Sequence, residues 1–434
     1  MKKRFHVSRR VDPLIRIETS AVGYCRVKGY FELGIFIAGT LCVVVNPLLA
    51  QNWMQSDAPA MNWRAIVSSV DGTKLVAAAG ESGMGGVGGP IFYSTNSGAT
   101  WTQTGAPLQD WWTLASSADA SKLVAVGFPT FPSNGGWIYR SVDCGTTWNQ
   151  TSAPSNRWYS IACSADGAKL FASVHSGFTG GSIYTSVDSG TNWTQTSAPL
   201  LPWGPVACSA DGSKLVAGVG PDFPGGGIYT SADSGVTWKP TSAPDESWTS
   251  IVSSADGIKL VAAGSWASGG LIFTSTDSGV TWTQANATGT GWASVAASAD
   301  ATKLVAAETH MGGGGDIYTS IDSGMTWTQT RAPSNNWTSV ASSADGTKLA
   351  GVIYGGGIYS SHSEPPPSLS IALFGGIIII AWPTSSASFV LQQTSDLTRT
   401  GWSDIPTSPT VTNKLNQLFM SPSLGNLFYR LKGR

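Results

Sequence analysis

The chain has 434 residues, of which 41% are hydrophobic, and this is enough apolar material for a folded core and excludes a largely disordered protein. Charged residues make up only 12%, while 52 glycines and 19 tryptophans favour turns and short strands, so the first prediction is an all-β fold. The formal net charge is -1, and it becomes -6 without the first 50 residues, which hold eight Lys or Arg residues and three acids. Nucleic-acid binding is therefore not expected.

The first 50 residues are predicted to be a signal peptide or an N-terminal anchor. A basic region at 2–10 precedes an apolar stretch at 34–45, which is too short to span a bilayer comfortably. Ala50 offers a small residue for cleavage, but the segment ahead of the apolar stretch is long for a signal peptide, so an uncleaved anchor remains the alternative. Leu41 before Cys42 argues against a lipoprotein. We expect an exported protein, secreted or at the cell surface or in the periplasm, with no membrane span after this segment.

A tryptophan recurs at spacings of 44 to 48 residues, each time eight residues before an aspartate. Around it, each repeat reads as four short strands separated by turn residues. Such a unit cannot bury both of its faces alone, so seven units are predicted to pack around an axis as a β-propeller. The seven tryptophans are Trp63, Trp111, Trp158, Trp203, Trp248, Trp292 and Trp337, and a lysine recurs with them at Lys74, Lys122, Lys169, Lys214, Lys259, Lys303 and Lys348.

A second motif, which we call the box, lies between the third and fourth predicted strands. It reads SVDSGTNW at 186–193, and five similar copies stand at 94–101, 141–148, 231–238, 275–282 and 320–327. A short carboxylate or amide there can accept hydrogen bonds from its own hairpin, while glycine takes a positive φ and Trp covers the turn. The predicted role is structural rather than catalytic. The residues concerned are Asn96, Asp143, Asp188, Asp233, Asp277 and Asp322.

The boxes resemble the Asp-box, or BNR, repeat of sialidases, some glucan-cleaving enzymes, sortilin-like receptors and photosystem-assembly propellers. The resemblance implies that the boxes lie on the propeller face opposite the ligand site. Residues 52–63 match the fourth strand and the following loop of a repeat, whereas the seventh repeat ends at 357–361 without a box. The N-terminal strand is therefore predicted to complete the last of seven blades and to remove the open sheet edges.

The predicted propeller covers 51–363, and a Pro-rich linker at 364–367 separates it from a C-terminal β-module at 368–434. The apolar run at 371–382 is short, broken by glycine and rich in Ile, so we interpret it as two buried strands rather than a membrane helix. Further strands at 388–395, 416–421 and 426–431 suggest a small β-sandwich. The module resembles C-terminal modules of secreted bacterial proteins that pair Trp-Pro with a terminal FYRL. Adhesion, surface attachment and capping are all open as its role.

The ligand face is expected where loops enter the first strands and where second strands connect to third strands. The recurring tryptophans at the entrance are predicted to be packing residues rather than a stacking surface for sugars. The candidate ligand-face residues are Glu81, Phe131, Arg157, His175, Asp222, Trp266, His310, Arg331 and Tyr354.

The sequence favours a non-enzymatic recognition or scaffold propeller that binds a protein or a glycan and is a monomer. One alternative is a sialidase-type glycoside hydrolase, for which Arg64, Arg157 and Arg331 would have to converge beside Tyr354 and an acid such as Glu81. The chain offers no separate cluster of acids for paired-carboxylate hydrolysis, so no catalytic residue is assigned. The other alternative is an assembly factor for an exported complex.

No cofactor or metal site is predicted, because no His or Cys pair has the spacing of a metal site. After Ala50 the chain holds Cys144, Cys163 and Cys208. An odd number gives no disulfide framework, and small buried thiols are the favoured interpretation. A single bridge between Cys163 and Cys208, which occupy the same position in successive repeats, is the alternative.

Overall fold

A computed structural model describes residues 52–80, 88–128, 135–176, 180–220, 226–265, 270–289, 291–309, 314–362, 369–374, 376–383, 389–395, 402–413, 415–421 and 427–433, and two strands nearer the N-terminus, β1 (Arg16–Thr19) and β2 (Cys25–Lys28). The chain divides into two compact units, one formed by residues 50–363 and the other by 1–49 together with 364–434. The regular elements are strands, and none of the described residues belong to a helix that could cross a membrane.

The unit at 50–363 consists of seven four-stranded antiparallel groups of strands, numbered here as blades 1 to 7. Strand β3 (Asn52–Gln55) precedes blade 1 and belongs to blade 7. Blades 1 to 3 contain β4 (Met61–Ser68), β5 (Leu75–Ala79), β6 (Ile91–Ser94), β7 (Thr102–Gln103); β8 (Asp110–Ser116), β9 (Leu123–Phe128), β10 (Trp137–Ser141), β11 (Asn149–Gln150); β12 (Trp158–Cys163), β13 (Leu170–Val174), β14 (Ile183–Ser186) and β15 (Thr194–Gln195).

Blades 4 to 7 repeat the same order of strands. They contain β16 (Trp203–Cys208), β17 (Leu215–Val219), β18 (Ile228–Ser231), β19 (Lys239–Pro240); β20 (Trp248–Ser253), β21 (Leu260–Gly264), β22 (Ile272–Ser275), β23 (Thr283–Gln284); β24 (Trp292–Ala297), β25 (Leu304–Glu308), β26 (Ile317–Ser320), β27 (Thr328–Gln329); β28 (Trp337–Ser342), β29 (Lys348–Gly356) and β30 (Ile358–His362).

Seven backbone hydrogen bonds form a closed ring through the turns between first and second strands. In each blade, the N–H of one turn residue donates to the carbonyl of the equivalent residue in the next blade, at 2.7–2.8 Å. Because the last bond returns to the first residue, the blades close on themselves, and the predicted β-propeller is confirmed. In donor order the ring runs through Val70, Ala118, Ala165, Ala210, Ala255, Ala299 and Ala344 and back to Val70.

The seam between blades 7 and 1 is closed by two strand pairings. Strand β3 pairs antiparallel with β30, and the Trp53 ring lies 5.9 Å from the ring of Trp337, so the predicted closure by the N-terminal strand is confirmed. The second pairing was not predicted. Strand β29 is longer than the other second strands, and Tyr354 in its extension pairs with Asn62 of blade 1. Blades 7 and 1 therefore belong to one eight-stranded sheet.

The recurring tryptophans are packing residues, as predicted, because all seven are at most 1% exposed. Each lies in an apolar cluster shared by two blades. Trp158 of blade 3, for example, packs with Val124 and Val126 of blade 2. The recurring lysines add polar links between blades, since in five of them the ammonium donates to a backbone carbonyl of the next blade, as Lys74 does to Asp119 at 2.9 Å.

The three cysteines after Ala50 are free thiols. Cys208 donates a weak hydrogen bond to the carbonyl of Cys163 at 3.3 Å, so no bridge joins these two neighbours. Burial raises the pKa of the Cys163 thiol to about 12, which keeps the group protonated and unreactive at neutral pH. The side chains of Cys163 and Cys208 are both partly buried rather than fully buried.

The second unit contains two sheets. One has the order β31-β32-β36-β35 and the other β1-β2-β37-β33-β34, and Ile380 and Trp382 of the first share a core with Leu391 and Tyr429 of the second. The strands are β31 (Ser370–Phe374), β32 (Ile377–Pro383), β33 (Phe389–Thr394), β34 (Ser403–Asp404), β35 (Thr410–Thr412), β36 (Leu415–Met420) and β37 (Leu427–Gly433).

The apolar run at 371–382 forms the hairpin of β31 and β32, as predicted, but it is not buried throughout. Phe374 and Ile377 at the hairpin tip are exposed, because they extend beyond the shared core. An unpredicted feature is that β2, within the range assigned to the export segment, pairs with β37. Export of the chain stays a prediction.

Candidate ligand-binding site

The first strand of every blade carries a β-bulge directly after the recurring tryptophan. In six blades the register shifts between the tryptophan and the residue two positions on, so the residue between them has no ladder partner, and in blade 4 the shift runs from Trp203 to Val206 and leaves two residues without one. Such a bulge re-aims one side chain. Because neighbouring first strands contact one another all round the ring, these bulge residues encircle the axis. They are Arg64, Trp112, Tyr159, Gly204, Thr249, Ala293 and Thr338.

Two of the four small bulge residues, the threonines, are structural links between blades. The Thr249 hydroxyl donates to the carbonyl of Trp292 at 2.7 Å, and the Thr338 hydroxyl donates to the carbonyl of Trp63 at 2.9 Å. Both links run to the next blade. The bulge residues of blades 1 to 3 are Arg64, Trp112 and Tyr159, whose long side chains cannot make the short hydroxyl-to-carbonyl contact of a threonine. Three adjacent blades therefore present large side chains at the axis.

Arg64 lies between two aromatic rings. Its guanidinium carbon is 5.0 Å from the centre of the Trp112 ring and 5.3 Å from the centre of the Tyr354 ring. Both are cation–π distances, each contributing about 0.5–1 kcal/mol at a partly exposed site. Trp112 is 37% exposed and Tyr354 is 38% exposed, so the two rings keep free surface beside the cation. The Nε of Arg64 is buried and has no hydrogen-bond partner among the described residues.

Two further rings extend this row into blade 3. The Tyr159 ring lies 6.2 Å from Trp112 and 5.6 Å from the ring of His175. His175 is 5% exposed, and its Nδ1 lies 3.3 Å from the carbonyl of Trp203. We call these five residues, Arg64, Trp112, Tyr159, His175 and Tyr354, the mouth cluster.

The structure brings together two of the predicted ligand-face residues, His175 and Tyr354. Arg157 is exposed beside the mouth, directly before Trp158, and its carbonyl accepts a hydrogen bond from the His175 N–H at 2.9 Å. Arg331 is also exposed. It occupies the position of a serine that, in three other repeats, donates to a backbone carbonyl in the box of the next blade. Glu81, Phe131, Asp222, Trp266 and His310 lie outside the described residues.

Sequence reasoning missed Trp112 and Tyr159. The signal was the position directly after the recurring tryptophan, where four repeats have small residues and three have Arg, Trp and Tyr. A difference between repeats at one fixed position separates ligand-facing residues from packing residues, because packing requires the same side chain in every blade.

The six boxes have one shared geometry. In the box of blade 2, Asp143 Oδ1 accepts the Thr147 N–H at 2.9 Å and Oδ2 accepts the Thr147 hydroxyl at 2.6 Å, while the Trp148 indole N–H donates to the carbonyl of Gly145 at 3.1 Å. Asn96 Oδ1 likewise accepts the Thr100 N–H in blade 1, but its amide nitrogen donates to the Thr100 hydroxyl at 2.8 Å. The side chains at this position therefore hydrogen-bond within their own hairpins.

Both residues after the box Asp or Asn have a positive φ. In blade 2 these are Cys144 at 57° and Gly145 at 83°. Only the glycine was predicted to do so. The first position accepts Ser or Cys in the left-handed region because the hydrogen bonds of the box fix the turn.

Hydrogen bonds to ionised aspartates should make the stability of the propeller sensitive to acid. Those from Thr147 and Ser141 lower the pKa of Asp143 from 3.8 to about 2, and those from Ser69 and Thr73 do the same for Asp71 in the inner turn of blade 1. A carboxyl group whose pKa is lower in the folded state than in the unfolded state stabilises the fold. This contribution is present in full above pH about 4, and it is lost as the pH falls toward 2. We expect the melting temperature to fall steeply between these values.

Thermal unfolding followed by circular dichroism from pH 7 to pH 2 measures this effect. Asp143→Asn is the matched variant, because Asn96 shows that an amide keeps the box geometry, and it should reduce the acid sensitivity without unfolding the protein. A melting temperature that does not change between pH 4 and 2 would contradict the role given to these groups.

No group of three or more His, Cys, Asp and Glu residues that could hold a metal ion occurs in the described part of the chain. The mouth cluster offers a cation, three aromatic faces and a buried imidazole. This set of side chains can stack flat or apolar groups and pair with an anion.

The fold is that of a β-propeller. No model of a known protein family matches the chain, and no curated protein sequence matches it. A solved structure of YCF48 bound to a D1 peptide is similar, with a TM-score of 0.52 and 17% identity over 74% of this chain and 100% of that one. Hydrazine synthase from Kuenenia stuttgartiensis has a TM-score of 0.52 and 13% identity over 72% of this chain and 98% of that chain.

A GH74 xyloglucanase from Xanthomonas campestris reaches a TM-score of 0.43 with 13% identity, covering 82% of this chain and 74% of that chain. A similarity at this level carries no argument about function. The identities of all three structures are low enough that the comparison establishes the fold alone.

Proposed function

We propose that this protein is an exported, non-enzymatic recognition or scaffold propeller that binds a protein or glycan ligand at the mouth cluster. The observation that supports it most is the row formed by Arg64, Trp112 and Tyr354, where a cation lies between two partly exposed rings. Exposed aromatic and Arg side chains are the residue types that contribute most to binding energy at interfaces. The propeller supplies a rigid platform for them.

The boxes are proposed to be of the Asp-box type, since their geometry serves their own hairpins and leaves the mouth as the place for a ligand. The range 1–50 is proposed to direct export, 51–363 to be the recognition domain, and 368–434 to be an auxiliary module behind a linker at 364–367. YCF48, a propeller of the same fold, was solved with a peptide, and this supports testing peptides as ligands first.

Peptide and glycan arrays probed with the full-length protein test the proposal. Trp112→Ala should weaken binding of any ligand found by about tenfold or more, because an aromatic anchor is removed. Val187→Ala is the control, since Val187 is an exposed apolar residue in a box. Equal loss of binding in both variants, or no loss in Trp112→Ala, would contradict a ligand site at the mouth.

A fluorogenic sialoside separates the proposal from the hydrolase alternative. We expect no turnover. Turnover that Arg331→Ala abolishes would overturn the non-enzymatic function.

A further inference from the structure

Two notches lie between neighbouring blades, each bounded by the third strand of one blade and the box of the next. They have equivalent linings and very different sizes. The notch between blades 4 and 5, here notch 4/5, has a cavity volume of about 190 Å³, whereas the equivalent notch 2/3 has about 10 Å³. A single water needs about 10–15 Å³, so notch 2/3 is closed and notch 4/5 has room for a group of several heavy atoms.

The side chain that closes notch 2/3 is Arg140 on the third strand of blade 2. Its guanidinium donates to the carbonyl of Ser189 at 2.8 Å and to the hydroxyl of Thr191 at 3.0 Å, both in the box of blade 3. Blade 4 has Thr230 at the same position. The shorter side chain places only its methyl group near Gly279 in the box of blade 5, so it does not fill the notch as the arginine does.

At notch 4/5 the recurring lysine differs from the lysines between the two flanking pairs of blades, 3/4 and 5/6, although its bond is the one made in four other blades, including that of Lys122 at notch 2/3. In blades 3 and 5, Lys169 and Lys259 reach across to the box serine of the next blade, at 3.3 and 3.2 Å. In blade 4 the ammonium of Lys214 instead donates to the carbonyl of Asp256 at 2.9 Å. Lys214 therefore lies at the edge of notch 4/5 and leaves its centre open.

A second lysine, Lys239, lines this notch from the fourth strand of blade 4. Among the described residues, its ammonium has no hydrogen bond or ion pair, and the hydroxyl of Thr230 has no hydrogen bond. The equivalent positions in the other blades with a box hold Thr or Asn. Those residues are Thr102, Asn149, Thr194, Thr283 and Thr328. Blade 4 is therefore the one blade with a box that has a lysine at this position in addition to the recurring lysine.

The residues that line notch 4/5 include two lysines and no Asp or Glu. Leu215 and Leu260 contribute its apolar part. The adjoining Asp233 and Asp256 accept hydrogen bonds within their own turns, from Thr237 and Ile258 among others. The notch thus combines space with Lys239 and with Lys214, whose ammonium has one bond to the Asp256 carbonyl and further N–H groups to donate, inside a chain whose net charge is negative.

We propose that notch 4/5 binds an oxyanion, a sulfate or phosphate group, held by Lys214, Lys239 and the Thr230 hydroxyl. The volume suits one such group and its immediate carrier atoms rather than a whole ligand. The anion is either free in solution or an ester on a polymer, and the chemistry of the site is the same for both. This site is on the box side of the blades and does not depend on the function proposed for the mouth cluster.

Isothermal titration of the full-length protein with sodium sulfate and sodium phosphate, against sodium chloride at equal ionic strength, tests the site. Dextran sulfate and unmodified dextran test whether the anion is carried on a polymer. Thr230→Arg should abolish binding at an unchanged melting temperature, because Arg140 shows that the fold accepts arginine here and that it fills the notch. Lys239→Thr, the residue of four other repeats, should weaken binding by about tenfold.

Arg140→Thr is the matched control, since it opens notch 2/3, where Asn149 replaces the second lysine, and it should create no second site. Trp112→Ala should leave sulfate binding intact, which distinguishes a failure of this proposal from a failure of the mouth site. Absence of any binding to the anions or to dextran sulfate would overturn the proposal. Binding that survives both Thr230→Arg and Lys239→Thr would do so as well.

Discussion

Trp248→Ala is expected to lower the free energy of unfolding by about 3–5 kcal/mol, the range for truncating a buried aromatic residue. Trp248 is fully buried, and it packs across Phe273 at 5.8 Å between ring centres. Its indole N–H also donates to the carbonyl of Gly226 at 2.8 Å, so the substitution leaves a buried acceptor without its partner as well as a cavity. Urea unfolding followed by tryptophan fluorescence and circular dichroism measures the loss.

Trp112→Ala is the matched control for this prediction. Trp112 belongs to the same type of strand, but it is 37% exposed and sits at the bulge rather than in the interblade core. Its replacement should change the unfolding free energy by roughly 1 kcal/mol or less. Similar losses for Trp112→Ala and Trp248→Ala would mean that the recurring tryptophans are not the packing residues of the ring.

Deleting Asn52–Gln55 is expected to lower the free energy of unfolding by about 4 kcal/mol or more. The deletion removes β3, which pairs with one edge of β30, and each of roughly four hydrogen bonds between these strands contributes about 1 kcal/mol. The deletion also removes Trp53 from the Trp337 ring at the seam. An exposed edge strand remains, which favours association between molecules. Denaturant unfolding and sedimentation velocity together measure both effects.

Single substitutions in the same strand separate packing from pairing. Trp53→Ala should destabilise the protein, whereas Met54→Ala should have an effect within about 0.5 kcal/mol, because Met54 is 63% exposed on the other side of the strand. An unchanged denaturation midpoint after the deletion would show that the N-terminal strand does not hold the seam.

The regular spacing of the tryptophans predicted the fold because a propeller is built from repeats of one structural unit. Each unit buries one Trp against its neighbour, so the sequence has to repeat the same residue at each blade. The closure by residues 52–55 was predictable for the same reason, since the missing fourth strand of the last repeat appears at the start of the chain. The extension of β29 across the seam was not predictable, because the glycine-rich connection after Tyr354 is only three residues long, at 355–357, and the other repeats do not share this short connection.

The site was less predictable than the fold. His175 and Tyr354 were recognised from their loops, but the contact of Arg64 with Trp112 and Tyr354 joins blades 1, 2 and 7 and depends on ring closure. The bulge that directs these side chains toward the axis is a matter of strand register, which residue types alone do not specify. Notch 4/5 was missed because it exists through the absence of a large side chain at Thr230.

Amide hydrogen exchange at the turn between first and second strands tests ring closure most directly, since the mouth cluster exists only if blade 7 meets blade 1. The structure predicts that the amides of Val70 and Ala344, which carry the bonds at the seam, exchange as slowly as that of Ala210 in blade 4, with opening free energies near that of global unfolding. Fast exchange at Val70 and Ala344 beside slow exchange at Ala210 would show an open ring and would contradict the account.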